Sequence, residues 1–201
     1  MGELNSKSLV IDTSVVRSAS DRPQISNQEL SEILTFNNCY HFLNTVLDSE
    51  HKIFMTQEIR DEWYKRRQDT GKPYISLFSQ RWYRAMIDRE KVIEDLISPD
   101  DLLKERVINT LKPEAVKQKE DILKDYFLLE AALASDKTVI SLDDKTARKL
   151  FSQASQNIDE IKEIVWVNPD KNEEKPIEWL MNGAPAETER FLVNYSPKNT
   201  K

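Results

Sequence analysis

Residues 124–144 read KDYFLLEAALASDKTVISLDD, a carboxylate on a nearly all-apolar helix, a short turn, a strand, and two more carboxylates where the strand stops. Leu128, Leu129, Ala131, Ala132, Leu133 and Ala134 leave that helix little face for solvent, so Asp125 beside them stands near a core. Thr138 to Leu142 is too short and too β-branched for a helix and fits a buried strand. An acid near a core, with Asp143 and Asp144 at a strand end, suggests a site.

Working outward, Ser8–Ile11 (SLVI), Lys52–Met55 (KIFM) and Ile164–Val167 (IVWV) are further short apolar strands. The first ends on Asp12, followed by Thr13 and Ser14 where a helix can begin. Helical spacing of apolar residues predicts helices over about 28–50, 56–68, 74–97, 100–112, the stretch carrying Asp125, and 144–155. Pro73, Pro99 and Pro113 punctuate this pattern. From Asn168 the chain is polar, and only Ile177–Met181 and Phe191–Tyr195 are apolar enough to dock. Strands separated by helices imply an α/β fold with a mostly parallel sheet, which binds ligands at its carboxyl edge. Asp12 and Asp143 both fall on that edge.

The 201 residues suit one well-buried domain, and 39% hydrophobic with 32% charged residues is the composition of a globular protein. Cys39 is the only cysteine, so no internal disulfide forms, and no apolar stretch is long enough to span a bilayer. A cytoplasmic setting is expected. The net charge of -6 opposes non-specific coating of nucleic acid but allows contact through one face. That face is expected over residues 60–91, where nine basic side chains, among them Arg60, Lys65, Arg66 and Arg67, meet five acids. Tyr64, Tyr74, Trp82 and Tyr83 lie in the same stretch, available to stack on unpaired bases or to fill the core. His41, His51 and Cys39 lack zinc-site spacing and read as structural.

Several carboxylates packed together repel by several kcal/mol per pair, about 4 kcal/mol at 4 Å for an effective dielectric near 20. A divalent cation of the Mg²⁺ or Mn²⁺ type relieves this and leaves places for water and phosphate. The implied chemistry is metal-assisted phosphoryl transfer. Each acid also has a plainer reading. Asp12 could cap the helix after it, and of Asp143 and Asp144 the second is the expected cap. A Lys or Arg could satisfy Asp125, with Asp121 one turn earlier as a substitute. Glu62 has Glu58 and Asp61 beside it and could form only a surface salt bridge.

VIDTSVV (10–16), FMTQEIRDEW (54–63) and residues 124–144, in this order, resemble the acidic motifs of PIN-domain nucleases. The resemblance covers about residues 8–60 and 120–167. It implies a three-layer sandwich with a sheet of about four to five strands in residues 1–167, a helical insertion over 69–119, and a C-terminal extension over 168–201. It further implies a Mg²⁺- or Mn²⁺-dependent nuclease, an endoribonuclease or less often a DNA nuclease, acting as a toxin or defence effector. By that likeness Asp12 and Asp125 are metal ligands, Glu62 is a ligand or positions water, Asp143 belongs to a second, weaker metal site, and Ser14 steadies Asp12. A contrasting reading is a PIN-like module that kept its acids for structure and binds a protein, or a second copy of itself, through the insertion or the tail. A phosphatase of the haloacid-dehalogenase type also has an Asp after its first strand, but needs a second acid where this chain has Ser14.

Overall fold

The computed structural model describes residues 6–20, 30–66, 71, 73–110 and 116–196, with the side chains of residues 116–119 and 121 excepted. Five parallel strands form its centre: β1 (Ser8–Ile11), β2 (Lys52–Met55), β3 (Val92–Glu94), β4 (Thr138–Ile140) and β5 (Val165–Val167), in the order β3-β2-β1-β4-β5. Val10 pairs with Val139 and Ile11 with Ile140, and the sheet's order reverses direction at this β1–β4 boundary. Leu9, Val10, Val139, Ile140, Trp166 and Val167 are each 0% exposed. Their run of apolar residues without alternation is what a strand covered on both faces requires.

Helices cover both faces: α1 (Thr13–Ser18), α2 (Leu30–Asp48), α3 (Gln57–Tyr64), α4 (Leu77–Asp88), α5 (Asp101–Asn109), α6 (Val116–Leu133), α7 (Lys149–Ser155) and α8 (Pro176–Met181). The result is the expected three-layer α/β sandwich. Thr56, Ser76 and Asp100 begin α3, α4 and α5 by accepting the amides of Ile59, Ser79 and Leu103. α6 packs against β1 and β4, α2 against α1, α4 and α8. None of the helices in the described residues is long and apolar enough to cross a membrane.

Two elements differ from the sequence expectation. The apolar spacing over 74–97 predicts one helix, but α4 stops at Asp88 and Val92–Glu94 becomes the edge strand β3, paired with β2 from Ile53↔Val92 to Met55↔Glu94. Glu90 makes the turn at φ 57, a left-handed conformation that glycine usually signals in a sequence. The stretch 69–119 is therefore more than a helical insertion, since it supplies one edge of the sheet. Likewise α3 ends at Tyr64 instead of near Gln68, because Lys65 turns the chain into an antiparallel bridge between Arg66 and Pro73.

The tail docks where its two apolar patches predict. Ile177–Met181 falls within α8 against α2, and residues 192–194 form a 3₁₀ turn against α7. His51, 3% exposed, locks α8 to the start of β1. Its Nδ1 accepts the Lys7 amide at 3.0 Å, so its Nε2 carries the proton and donates to the Leu180 carbonyl at 2.9 Å. Burial lowers its pKa below the ordinary histidine value.

Candidate active site

Asp12 is the first residue past β1, and its amide still donates to the β4 carbonyl of Ile140 at 2.9 Å. Its side chain is thereby placed in the crevice where β1 and β4 part, the position at which doubly wound sheets bind ligands. It is 8% exposed and does not close the first turn of α1 as a cap. Two hydroxyls converge on its Oδ2, Ser14 Oγ at 2.5 Å and Ser141 Oγ at 2.7 Å. Ser14 Oγ in turn accepts the Leu142 amide at 3.1 Å, and Ser141 Oγ accepts the Asp143 amide at 3.0 Å. Two serines thus tie the end of β1 to the exit of β4 through one carboxylate.

Burial is the chief influence on Asp12 and raises its pKa. The hydroxyls of Ser14 and Ser141 and the approach of the Ser14 amide favour the charged form, while the carboxylate of Asp143 opposes it. Asp12 and Asp143 are therefore electrostatic neighbours although 131 positions separate them. Thr13 Oγ1, at the same corner, is buried without a hydrogen-bond partner among the described residues.

The cap of the next turn is Asp143, not Asp144 as expected. Asp143 Oδ1 accepts the Thr146 amide at 2.8 Å and caps the five-residue π-turn Asp144–Arg148. Asp144, 7% exposed, faces inward. Its Oδ1 accepts Arg148 Nη1 at 3.0 Å, and its Oδ2 accepts Asn168 Nδ2 at 2.7 Å and Lys171 Nζ at 2.8 Å. Asp144 is an ion-pair anchor rather than a cap.

Asp125 lies on the sheet-facing stripe of α6, with Ile122, Leu128 and Leu129 around it each 0% exposed. α6 runs antiparallel to β4, its Leu133 end close in sequence to the Thr138 start of the strand. Asp125 is half-buried. Asp121 belongs to the same helix, and its side chain lies outside the described residues.

Glu62 lies on α3, which packs against both α1 and α6, the helices next to Asp12 and bearing Asp125. Its side chain is 42% exposed and 4.0 Å from Lys65 Nζ, the surface pairing of its plainer reading. Among the described residues no three His, Cys, Asp or Glu side chains stand together closely enough to hold a metal ion. The folded chain brings together Asp12 and Asp143, keeps Asp125 half-buried on α6, and leaves Glu62 beside Lys65 at the surface.

Of the expected basic face, Arg60 is committed to an ion pair with Glu94, and Arg66 Nη1 donates to the Gly71 carbonyl at 3.1 Å. Lys65 is 64% exposed, and Arg67 lies outside the described residues. Trp82 and Tyr83 are 2% and 6% exposed and belong to the core, so neither can stack on a base. Tyr64, 41% exposed, and Tyr74, which lies 5.9 Å beneath the Arg17 guanidinium, remain at the surface. Ser76 N and Ser79 Oγ both donate to the Val16 carbonyl, fastening this rim to α1 directly after Asp12.

Sequence reasoning missed Ser141 and Arg148. Ser141 lies at the end of the expected strand beside Asp12's strand, a position that could have marked it. Arg148 is recognisable only through partners 4 and 26 residues away.

No family model, no curated protein and no solved structure matches the chain.

Proposed function

We propose that this protein is a divalent-metal-dependent nuclease of the PIN-like kind, an endoribonuclease that hydrolyses phosphodiester bonds at the carboxyl edge of its sheet. The observation that supports it most is Asp12: a buried carboxylate at the β1–β4 crevice, kept by two serine hydroxyls beside a second carboxylate. A buried acid beside another acid is costly to keep charged unless a cation joins them, and such a perturbed acid in a crevice is a candidate functional group. The oxygen-only donors suit Mg²⁺ or Mn²⁺, which commonly take one or two carboxylates and complete their shell with water and phosphate.

Asp12 and Asp125 would hold the ion, with Asp143 as the ligand of a second, weaker position and Glu62 orienting the attacking water. The bound ion would supply a more acidic water and charge stabilisation on the phosphate. Ser14 and Ser141 favour the charged form of Asp12 against its burial and would fix its rotamer, while Lys65, Tyr64 and the Arg17–Tyr74 pair offer a rim for the nucleic-acid chain. A non-catalytic binding module is the second reading, favoured by the absence of a three-acid cluster among the described residues. Cleavage of a mixed RNA pool and of single-stranded DNA with Mn²⁺ separates the two. Activity in the wild type that Asp12→Asn reduces at least 100-fold supports the nuclease, and equal traces in both proteins would refute it.

A further inference from the structure

Residues 168–195 look in sequence like an appendage, yet they carry most of the partners of the turn that follows Asp143. Arg148, 2% exposed, is the hub. Its Nη1 donates to Asp144 Oδ1 at 3.0 Å and to Glu174 Oε1 at 2.6 Å, and its guanidinium lies 4.2 Å from the centre of the Tyr195 ring. The Tyr195 hydroxyl reaches the Asp144 carbonyl at 3.3 Å. Asn168 spans the same turn from the other side, donating to the Leu142 carbonyl and to Asp144 Oδ2 while its amide donates to Glu174 Oε2 at 3.1 Å. Arg190 closes the ring by donating to the Glu174 carbonyl at 2.6 Å.

This cluster bears on Asp143 through the main chain. The Arg148 amide donates to the Asp143 carbonyl at 3.0 Å, so the residue gripped by the tail also closes the π-turn that Asp143 begins. A π-turn is an uncommon conformation, frequent at functional sites. A buried ionic cluster costs desolvation that well-packed apolar residues would avoid, so its presence calls for a role beyond stability.

We infer that the C-terminal segment is a strap whose Glu174 and Tyr195, acting through Arg148 and Asp144, are positioning residues that hold Asp143 at the carboxyl edge beside Asp12. The claim that this matters for metal binding rests on the nuclease reading; the claim that the strap holds Asp143 does not. Two independent measurements on the full chain keep these apart. Amide hydrogen exchange by NMR in EDTA is expected to quicken at least 10-fold at Thr146 and Arg148, the two amides bonded to Asp143, in Glu174→Gln and Tyr195→Ala. The Ile59 and Ser79 amides, capped on α3 and α4, should keep their wild-type protection. Titration of free Mn²⁺ by electron paramagnetic resonance should show affinity falling about 10-fold in both variants, the scale on which outer partners of ligands act. Unchanged exchange at Thr146 and Arg148, or a uniform rise that includes Ile59 and Ser79, would overturn the strap. Quickened exchange together with equal Mn²⁺ binding by wild type and Asp12→Asn would keep the strap and remove the metal site.

Discussion

Ser141→Ala probes the joint between β1 and β4 without touching the shape of the core. Ser141 is 0% exposed, and its hydroxyl donates to Asp12 Oδ2 at 2.7 Å while accepting the Asp143 amide at 3.0 Å. A hydrogen bond to a charged group contributes about 1.5–3 kcal/mol, and an unpaired amide costs about 1–3 kcal/mol where it is fully buried. The two do not add in full, since Asp12 keeps Ser14 and the Asp143 amide is only part-buried. We therefore expect a loss of about 2–3 kcal/mol, a fall in Tm of about 4–12 °C for a chain of this size.

The loss should depend on pH with a definite sign. The folded-state pKa of Asp12 lies above the ordinary 3.8, so its contribution to stability is fully present below 3.8 and is lost as pH rises through the folded value. Ser141 opposes that rise by favouring the charged form. Its removal pushes the pKa up further, so the deficit is larger above the folded pKa than below it. Urea denaturation in EDTA at pH 4.0 and pH 8.0 measures this directly. A deficit under about 0.5 kcal/mol at pH 8.0, or one larger at pH 4.0, would refute the account of Asp12 as a buried charge held by hydroxyls.

Three further expectations follow from other parts of the molecule. His51 is neutral in the fold with its pKa lowered, so its contribution is present above about 6.5 and is lost as pH falls through the folded value; replacing it with Gln should flatten the stability profile between pH 5 and 7, and an unchanged slope would contradict this. Arg148→Ala should cost about 3 kcal/mol in chemical denaturation, the low end for breaking a buried pair, because Asp144 retains Asn168 and Lys171. Glu62→Gln should leave stability within about 0.5 kcal/mol, since its surface pairing with Lys65 is weak, while lowering Mn²⁺-dependent cleavage at least 10-fold; a variant with full activity would remove Glu62 from the site.

Four of the five strands were legible as short apolar runs, and their separation by helices was enough to give a parallel sheet. β3 was hidden because Ile93 continues the helical spacing of Trp82 and Met86, and because Glu90 takes a conformation that only a glycine would have announced. Asp12 and Asp143 could be placed on the same edge from sequence, since both follow strands. Which of Asp143 and Asp144 turns inward could not, because neighbouring acids differ only through a π-turn that no local pattern encodes. Trp82 and Tyr83 resembled a stacking surface, yet α4 buries them against Trp63, with Trp82 Nε1 donating to the Leu43 carbonyl at 2.6 Å. Long-range partners decide such cases, and a single sequence does not reveal them.

A truncated product ending at Val167 would retain every strand of the sheet together with Asp12, Glu62, Asp125, Asp143 and Asp144, and by inspection would pass for whole. It would nonetheless strip Arg148 of Glu174 and of the Tyr195 ring, leaving it to Asp144, and would strip His51 of the Leu180 carbonyl. Removing that segment would thus loosen the turn after Asp143 and the seat of His51 without altering any of those five carboxylates.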